Sequence, residues 1–311
     1  MILTVTLNAA IDKRYVMNSF EVGEVNRVAC NQYSAGGKGL NVSRVAAILG
    51  SKVVASGFIG GHAGEYIKEE IEKQDIETAF YSVKGESRSC INIYDEATGI
   101  QTEVLETGIE ISAEEEAAMI AYYNELLDCC DVVALSGSVP KGVSNTVYNT
   151  LVRLAKAKNK KVIVDTSRNL LKKAIEEKPT MIKPNADEIA DLMGIKNATR
   201  EQVIEAAFKL HQEGIEIVAV SLGKTGSIVI HEGTIYEVTV PKIDTVNSVG
   251  CGDSMIAGFA VALERQLDLE GMIRLASAAG TANALNEATG FVVMEDVERL
   301  MPQVIIKKIK Q

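Results

Sequence analysis

Short apolar runs recur along the chain and alternate with segments whose apolar residues repeat at helical spacing. The runs are ILTVTL from Ile2, KVVASGF from Lys52, DVVALSG from Asp131, KVIVDTS from Lys161, TMIKPN from Thr180 and IVAVSLG from Ile217. They are rich in β-branched residues and apolar at consecutive positions, so both faces of each strand meet other apolar groups, as inside a parallel sheet. Between them, Val42, Val45, Ala46 and Leu49 fall at i, i+3, i+4 and i+7, and Ile256, Phe259, Ala260 and Leu263 repeat that spacing. Strand–helix alternation predicts a mostly parallel sheet covered on both sides, a three-layer α/β/α sandwich. No linker or internal repeat divides residues 1–311, so a single domain is expected.

Two stretches break the rhythm. Residues about 12–35 and 87–107 are more polar and read as extended chain. In RSCINIYD, Arg88, Cys90, Asn92 and Tyr94 share one face, and Ser89, Ile91 and Ile93 share the other. QTEVLE follows after EATG, which suits a hairpin. Together these pieces predict a small β-sheet lid built from insertions. Its hairpins would carry open edges, which sheet proteins usually cover, so a homodimer through the lid is expected.

Composition narrows the function. The formal net charge is −10, which repels a phosphate backbone and argues against a general nucleic-acid binder. An anionic ligand would need local Lys or Arg side chains. The 5 cysteines include no CxxC pair, and the 3 histidines are scattered, so neither a disulfide framework nor a zinc site is favoured. The N-terminal MILTVTLNAA has no basic stretch ahead of an apolar one, and no apolar run reaches the roughly 18 residues of a membrane span. A reducing cytoplasm is expected.

In open parallel sheets, ligands sit beyond the carboxyl ends of the strands. The polar residues there are Asn8 and Asp12, Ser136-Gly137-Ser138, Asp165-Thr166-Ser167, Lys183-Pro184-Asn185 and Ser221-Leu222-Gly223. Two glycine-rich segments also lead into helices. Asn247-Ser248-Val249-Gly250-Cys251-Gly252-Asp253-Ser254 precedes MIAGFAVAL, so its backbone N–H groups and the helix dipole can meet an anion. Asp253 reads either as a general base or as a plain N-cap. Ala35-Gly36-Gly37-Lys38-Gly39-Leu40-Asn41 offers close backbone approach, a point charge and an amide. Val218 to Thr225 ends like a phosphate loop but opens on Val instead of Gly, and Gly57 to His62 lacks dinucleotide spacing.

With these motifs in this order, the chain resembles the ribokinase-like carbohydrate kinases of the phosphofructokinase B type. AGGKGLNVS from Ala35 and NSVGCGDS from Asn247 match the two signatures; TVTLNAAID, SGSVP, KPNADE and SLG follow the pattern elsewhere. Lys38 and the Ser87-Arg88-Ser89-Cys90 segment are similar to the tagatose-6-phosphate kinase and 1-phosphofructokinase branch. Cys251 departs from the small residue usual there, and Asn8-Ala9-Ala10 from the usual Asn-Pro. The resemblance implies a kinase using ATP and Mg²⁺ to convert a ketohexose monophosphate to its 1,6-bisphosphate. Tagatose 6-phosphate is the first substrate expected and fructose 1-phosphate the alternative. A nucleoside kinase or a non-catalytic sugar-phosphate sensor stands further off. It also implies roles. Asp253 would be the base, with Gly250, Cys251 and Gly252 forming the anion hole. Asp12, Gly37, Lys38, Asn41, Arg88, Cys90, Asn92 and Ser138 would meet the sugar phosphate. Lys183, Asn185 and Glu188 would serve the nucleotide phosphates, the last two also Mg²⁺ through water. Ser221, Gly223 and Gly226 would line the nucleotide, with Asn283 near the adenine.

Overall fold

The computed structural model describes residues 1–310. The chain opens with β1 (Ile2–Thr6), β2 (Ala10–Met17), β3 (Cys30–Gly36), α1 (Lys38–Ile48), β4 (Val53–Ile59), α2 (Gly61–Glu72) and β5 (Glu77–Ser82). It continues through β6 (Arg88–Asp95), β7 (Ile100–Leu105), α3 (Ala113–Leu126), β8 (Val132–Ser136), α4 (Val147–Ala157), β9 (Lys161–Asp165) and α5 (Arg168–Ala174). Next come β10 (Met181–Ile182), α6 (Ala186–Met193), α7 (Arg200–Gln212), β11 (Ile217–Ser221), β12 (Ser227–His231) and β13 (Thr234–Thr239). The chain closes with α8 (Cys251–Glu264), α9 (Leu269–Asn283), α10 (Met294–Leu300) and β14 (Ile305–Lys310).

Each of the six apolar runs forms a strand of one 10-stranded sheet, ordered β14-β13-β12-β11-β10-β9-β8-β1-β4-β5. The strands from β11 to β5 pair in parallel, and β12, β13 and β14 are antiparallel. Every residue of β1, β4 and β8 is buried, as runs apolar on both faces require. One face packs on Leu40, Val45, Phe259 and Ile273 from α1, α8 and α9. The other packs on Tyr123, Tyr148, Leu151 and Leu210 from α3, α4 and α7. Each such side chain stabilises the fold by roughly 1.5–3 kcal/mol when fully buried. The β12–β13 hairpin is an element the apolar runs did not reveal. Its signal was the two-residue turn Glu232-Gly233, at φ 47 and φ 70, between alternating strands.

The chain leaves β1 to build β4 and β5 on one side, then returns to build β8 on the other. That reversal opens a crevice at the carboxyl ends of β1 and β8. Over it stands a separate 4-stranded sheet, ordered β3-β2-β6-β7. Its registers pair Asp12 with Ser34 and Cys90, Arg14 with Asn92, and Asn92 with Glu103. Side chains directly opposite share a face, so Asp12, Arg14, Cys90, Asn92 and Glu103 stand together.

Candidate active site

The glycine-rich segment before α8 ends at Gly250, which is the N-cap residue at φ 84, a left-handed conformation that favours glycine. No side chain caps this helix end, so the N–H groups of Gly252 and Asp253 remain available to an anion, while that of Cys251 makes only a long 3.5 Å bond to Ser248 O. Asp253 is the third residue of α8, not its cap. It is 7% exposed and accepts a hydrogen bond from Asn41 Nδ2 to Oδ2 at 2.8 Å. Burial pushes its carboxyl up to about 6; Asp165 adds to the rise, and Asn41, Lys38 and Lys183 oppose it.

The cations expected near the ligands are partly engaged. Lys38 Nζ lies 3.4 Å from Asp165 Oδ2, and Lys183 Nζ lies 3.6 Å from Asp165 Oδ1. Burial works against the Lys38 charge, but Asp165, Asp253 and Glu188 outweigh it and raise its pKa. Asp165, 1% exposed at the end of β9, is thus the anionic centre of the site. Sequence reasoning marked it as a polar strand end and gave it no role. Arg88 donates from Nε to Asn8 O and from Nη1 to Glu106 O, both at 3.2 Å. Burial pushes Asp12 up to about 6, against the pull of Arg44 and Arg88 and with Glu103 adding to the rise.

These groups line one cavity of about 1310 Å³ between the two sheets. That exceeds the usual range for one small ligand and leaves room for two side by side. Asp12, Gly37, Lys38, Asn41, Arg88, Cys90 and Asn92 line it, as do Lys183, Asn185, Glu188, Ser221, Gly250, Gly252 and Asp253. Arg14, Gln32, Arg44, Gln74 and Glu103 line it too and were not anticipated. A cue existed for Arg44, since it is a charge inside the apolar helical run NVSRVAAIL.

Five expected site residues lie outside that lining. Asn283 is the clearest correction. It is 0% exposed, and its side chain is consumed within the protein. Its Oδ1 accepts from Ser254 Oγ, Gly290 N and Phe291 N, and its Nδ2 donates to Val249 O at 2.9 Å and to Cys251 Sγ at 3.5 Å. It braces the Val249-Gly250-Cys251 loop from behind and has nothing left for an adenine. Ser138 accepts a 3.4 Å hydrogen bond from Asn8 Nδ2 instead of facing the cavity. Gly226 lets two strands approach, because a Cβ there would meet Val238 O at 1.9 Å. Gly223 sits in a turn beyond the cavity rim. The half-buried Cys251 thiol points at Asn283, and burial raises its pKa.

Asn185 and Glu188 do share one side of a helical turn, as a capping box. Asn185 Oδ1 accepts from Glu188 N at 2.8 Å, and Glu188 Oε2 accepts from Asn185 N at 2.9 Å. One Glu188 oxygen is left for the cavity. Among the described residues no group of three or more His, Cys, Asp or Glu could hold a metal by itself. Mg²⁺ does not need one, since it keeps several waters and takes one or two carboxylates plus phosphate oxygens. Asp165 Oδ1, buried without a hydrogen-bond partner, and the spare Glu188 oxygen fit that demand.

Comparison with known proteins agrees with this geometry. The model of the pfkB family carbohydrate kinases matches residues 5–296. The chain is 40% identical over 307 residues to a tagatose-6-phosphate kinase of Staphylococcus epidermidis, covering 98% of each. It superimposes on phosphofructokinase-2 from Escherichia coli, solved with substrates and products, with a TM-score of 0.90 at 26% identity, covering 97% of this chain and 98% of that one. A structure from Thermotoga maritima described as a possible 1-phosphofructokinase gives a TM-score of 0.88 at 29% identity and covers 100% of both chains. Matched along nearly its whole length, with a cavity of this chemistry between its sheets, the chain belongs to the pfkB family of carbohydrate kinases.

Proposed function

We propose that the protein phosphorylates tagatose 6-phosphate with ATP, giving tagatose 1,6-bisphosphate and ADP. The observation that carries this is Asp253, a buried carboxylate at an uncapped helix start inside a cavity that also holds Lys38, Arg88 and Lys183. The identity to a tagatose-6-phosphate kinase supports the choice of sugar. In the reaction, Asp253 takes the proton of the C1 hydroxyl as its oxygen attacks the γ-phosphorus, and the bond to the β–γ bridging oxygen breaks. Asn41 bonds one carboxylate oxygen and leaves the other for that proton. Backbone N–H groups of Gly250, Cys251, Gly252 and Asp253 hold the migrating phosphoryl. Asp12 orients the sugar, Lys38 and Arg88 neutralise its phosphate, and Lys183 serves the nucleotide. Asp165 and Glu188 would hold Mg²⁺, which when bound neutralises the phosphate oxygens. Closure of the small sheet over the cavity as a lid excludes water and protects ATP from hydrolysis.

Fructose 1-phosphate is the second reading, favoured by the likeness to the Thermotoga structure. Both sugars present a phosphate at one end and a primary hydroxyl at the other, so one cavity accommodates either. An ADP-release assay over tagatose 6-phosphate, fructose 1-phosphate, fructose 6-phosphate and adenosine separates the readings. The highest kcat/KM is expected for tagatose 6-phosphate. A preference for fructose 1-phosphate moves the assignment to the second reading, and a preference for adenosine sinks both.

We also infer a homodimer through the lid. Val104 on its edge strand β7 is 51% exposed, and Val22 and Val25 in the loop between β2 and β3 are 90% and 83% exposed. An open strand edge with exposed apolar side chains beside it invites pairing with a second copy. Sedimentation at micromolar concentration tests it, and a monomer there refutes it. All five cysteines are free, which supports a reducing cytoplasm as the setting. No helix among the described residues is long and apolar enough to cross a membrane.

A further inference from the structure

Arg44, on α1, is buried and ties together four parts of the chain. Its Nη2 donates to Ala35 O at 2.7 Å, and its Nε donates to Gln74 Oε1 at 2.9 Å. Its Nη1 donates to Asn41 Oδ1 at 3.1 Å and to Thr289 O at 3.2 Å. Asn41 in turn donates from Nδ2 to Asp253 Oδ2. We infer that Arg44 is a positioning residue for phosphoryl transfer. By holding Asn41 Oδ1, it makes the amide present an N–H, not a carbonyl oxygen, to the catalytic carboxylate. This rests on Asp253 acting as the base.

The physical reason lies in the chemistry of the two groups. The two ends of an amide are nearly equal in shape, so packing alone does not orient it. A guanidinium carries only donors and can bond only the oxygen end. It therefore selects one amide orientation, where a hydroxyl or a second amide would accept both. The reversed orientation would set two acceptors face to face at Asp253. The surroundings keep the pair in place. A Cβ at Gly290 would come within 2.6 Å of Asn41 Cβ, so the loop leaves that side chain no spare room on this side. Gln74 and Ala35 fix the far side of the guanidinium, so Nη1 cannot swing away from Asn41.

A double-mutant cycle with ATP and tagatose 6-phosphate tests the inference. Arg44→Lys keeps the charge but has a single nitrogen, which cannot hold Ala35 O and Asn41 Oδ1 as a fork. It should lower kcat by about 10-fold, on the scale at which small misplacements near a reacting group act, and leave the sugar-phosphate KM within about 3-fold. In an Asn41→Ala background the same change should cost less than about 2-fold, because nothing remains to orient. Equal losses in both backgrounds, or a loss confined to KM, would overturn the inference. Asp253→Asn is measured alongside. A near-normal kcat there removes the base and this inference with it. A collapsed kcat beside additive Arg44 and Asn41 losses overturns the inference alone. Should Arg44→Lys fail to fold, Gln74→Met loosens the same guanidinium from its other side, and the same non-additivity with Asn41→Ala is required.

Discussion

Replacing Asp253 by Asn should destroy activity and stabilise the fold at the same time. Folding raises this carboxyl from 3.8 to about 6, with burial the chief cause. The folded state therefore binds the proton more tightly than the unfolded chain does. The wild-type protein is spared the cost at pH values below the unfolded pKa and bears all of it above about pH 6. A shift of about 2 units corresponds to about 3 kcal/mol at pH 8 and roughly half of that at pH 5. Asn removes the buried charge, keeps the shape and still accepts a hydrogen bond from Asn41. The pull of Lys38 and Lys183 is already part of that net shift, and what reduces the gain is the new amide N–H, which must find a partner in the buried site. We therefore expect Asp253→Asn to be more stable by about 1–3 kcal/mol at pH 8 and by about half as much at pH 5. In a chain of this length that is a rise in Tm of a few degrees, read by thermal or urea unfolding at the two pH values. Asp12 titrates over the same range but is present in both proteins, so it cancels in the difference. The same variant should lose at least about 10²-fold in kcat, the scale for a general base. A variant less stable than wild type at pH 8, or a gain that does not change with pH, refutes the picture of an ionised carboxylate held in a buried site at a cost to the fold.

Activity should carry the same signature, because a base must be ionised. kcat/KM should fall on the acid side with an apparent pKa near 6, to which Asp12 and Asp253 both contribute, and a profile flat to pH 5 contradicts this. Lys38→Ala should raise the KM for the sugar phosphate by about 10-fold or more and change kcat less, the pattern for lost binding of an anion; an unchanged sugar KM counts against its role. Gly290→Ala should lower kcat several-fold, since the new Cβ meets Asn41 Cβ at 2.6 Å, and full activity there shows that the loop gives way easily. Ser112→Ala removes one half of the capping box of α3, with Glu115 as the other half. It should cost about 1 kcal/mol in urea unfolding and leave kinetics unchanged; altered kcat would indicate that α3 is coupled to the site.

How much of this was legible in the sequence depended on how far apart the interacting residues lie in the chain. Runs such as ILTVTL and DVVALSG declare buried parallel strands because their neighbours along the chain carry the information. The Gly250-Cys251-Gly252-Asp253 segment declares an uncapped helix start for the same reason, since loop and helix start are contiguous. Asn283 entered by resemblance alone, and it misled because its partners are not adjacent in the chain. Val249 and Gly290 reach it from two loops, and together they leave it no free polar atom. Asn41 and Asp253 stand 212 residues apart, and Arg44 meets Thr289 across 245. No local pattern encodes such a meeting. A charge in the midst of an apolar helical run was the one available hint. A buried guanidinium must find acceptors for its donors, so Arg44 had to be close to carbonyls or carboxylates. What could not be read was that one of those acceptors is the amide oxygen whose nitrogen bonds Asp253. That arrangement exists only once α1, α8 and the loop before α10 have packed, which is why the positioning of Asp253, unlike its presence, belongs to the fold and not to the motif.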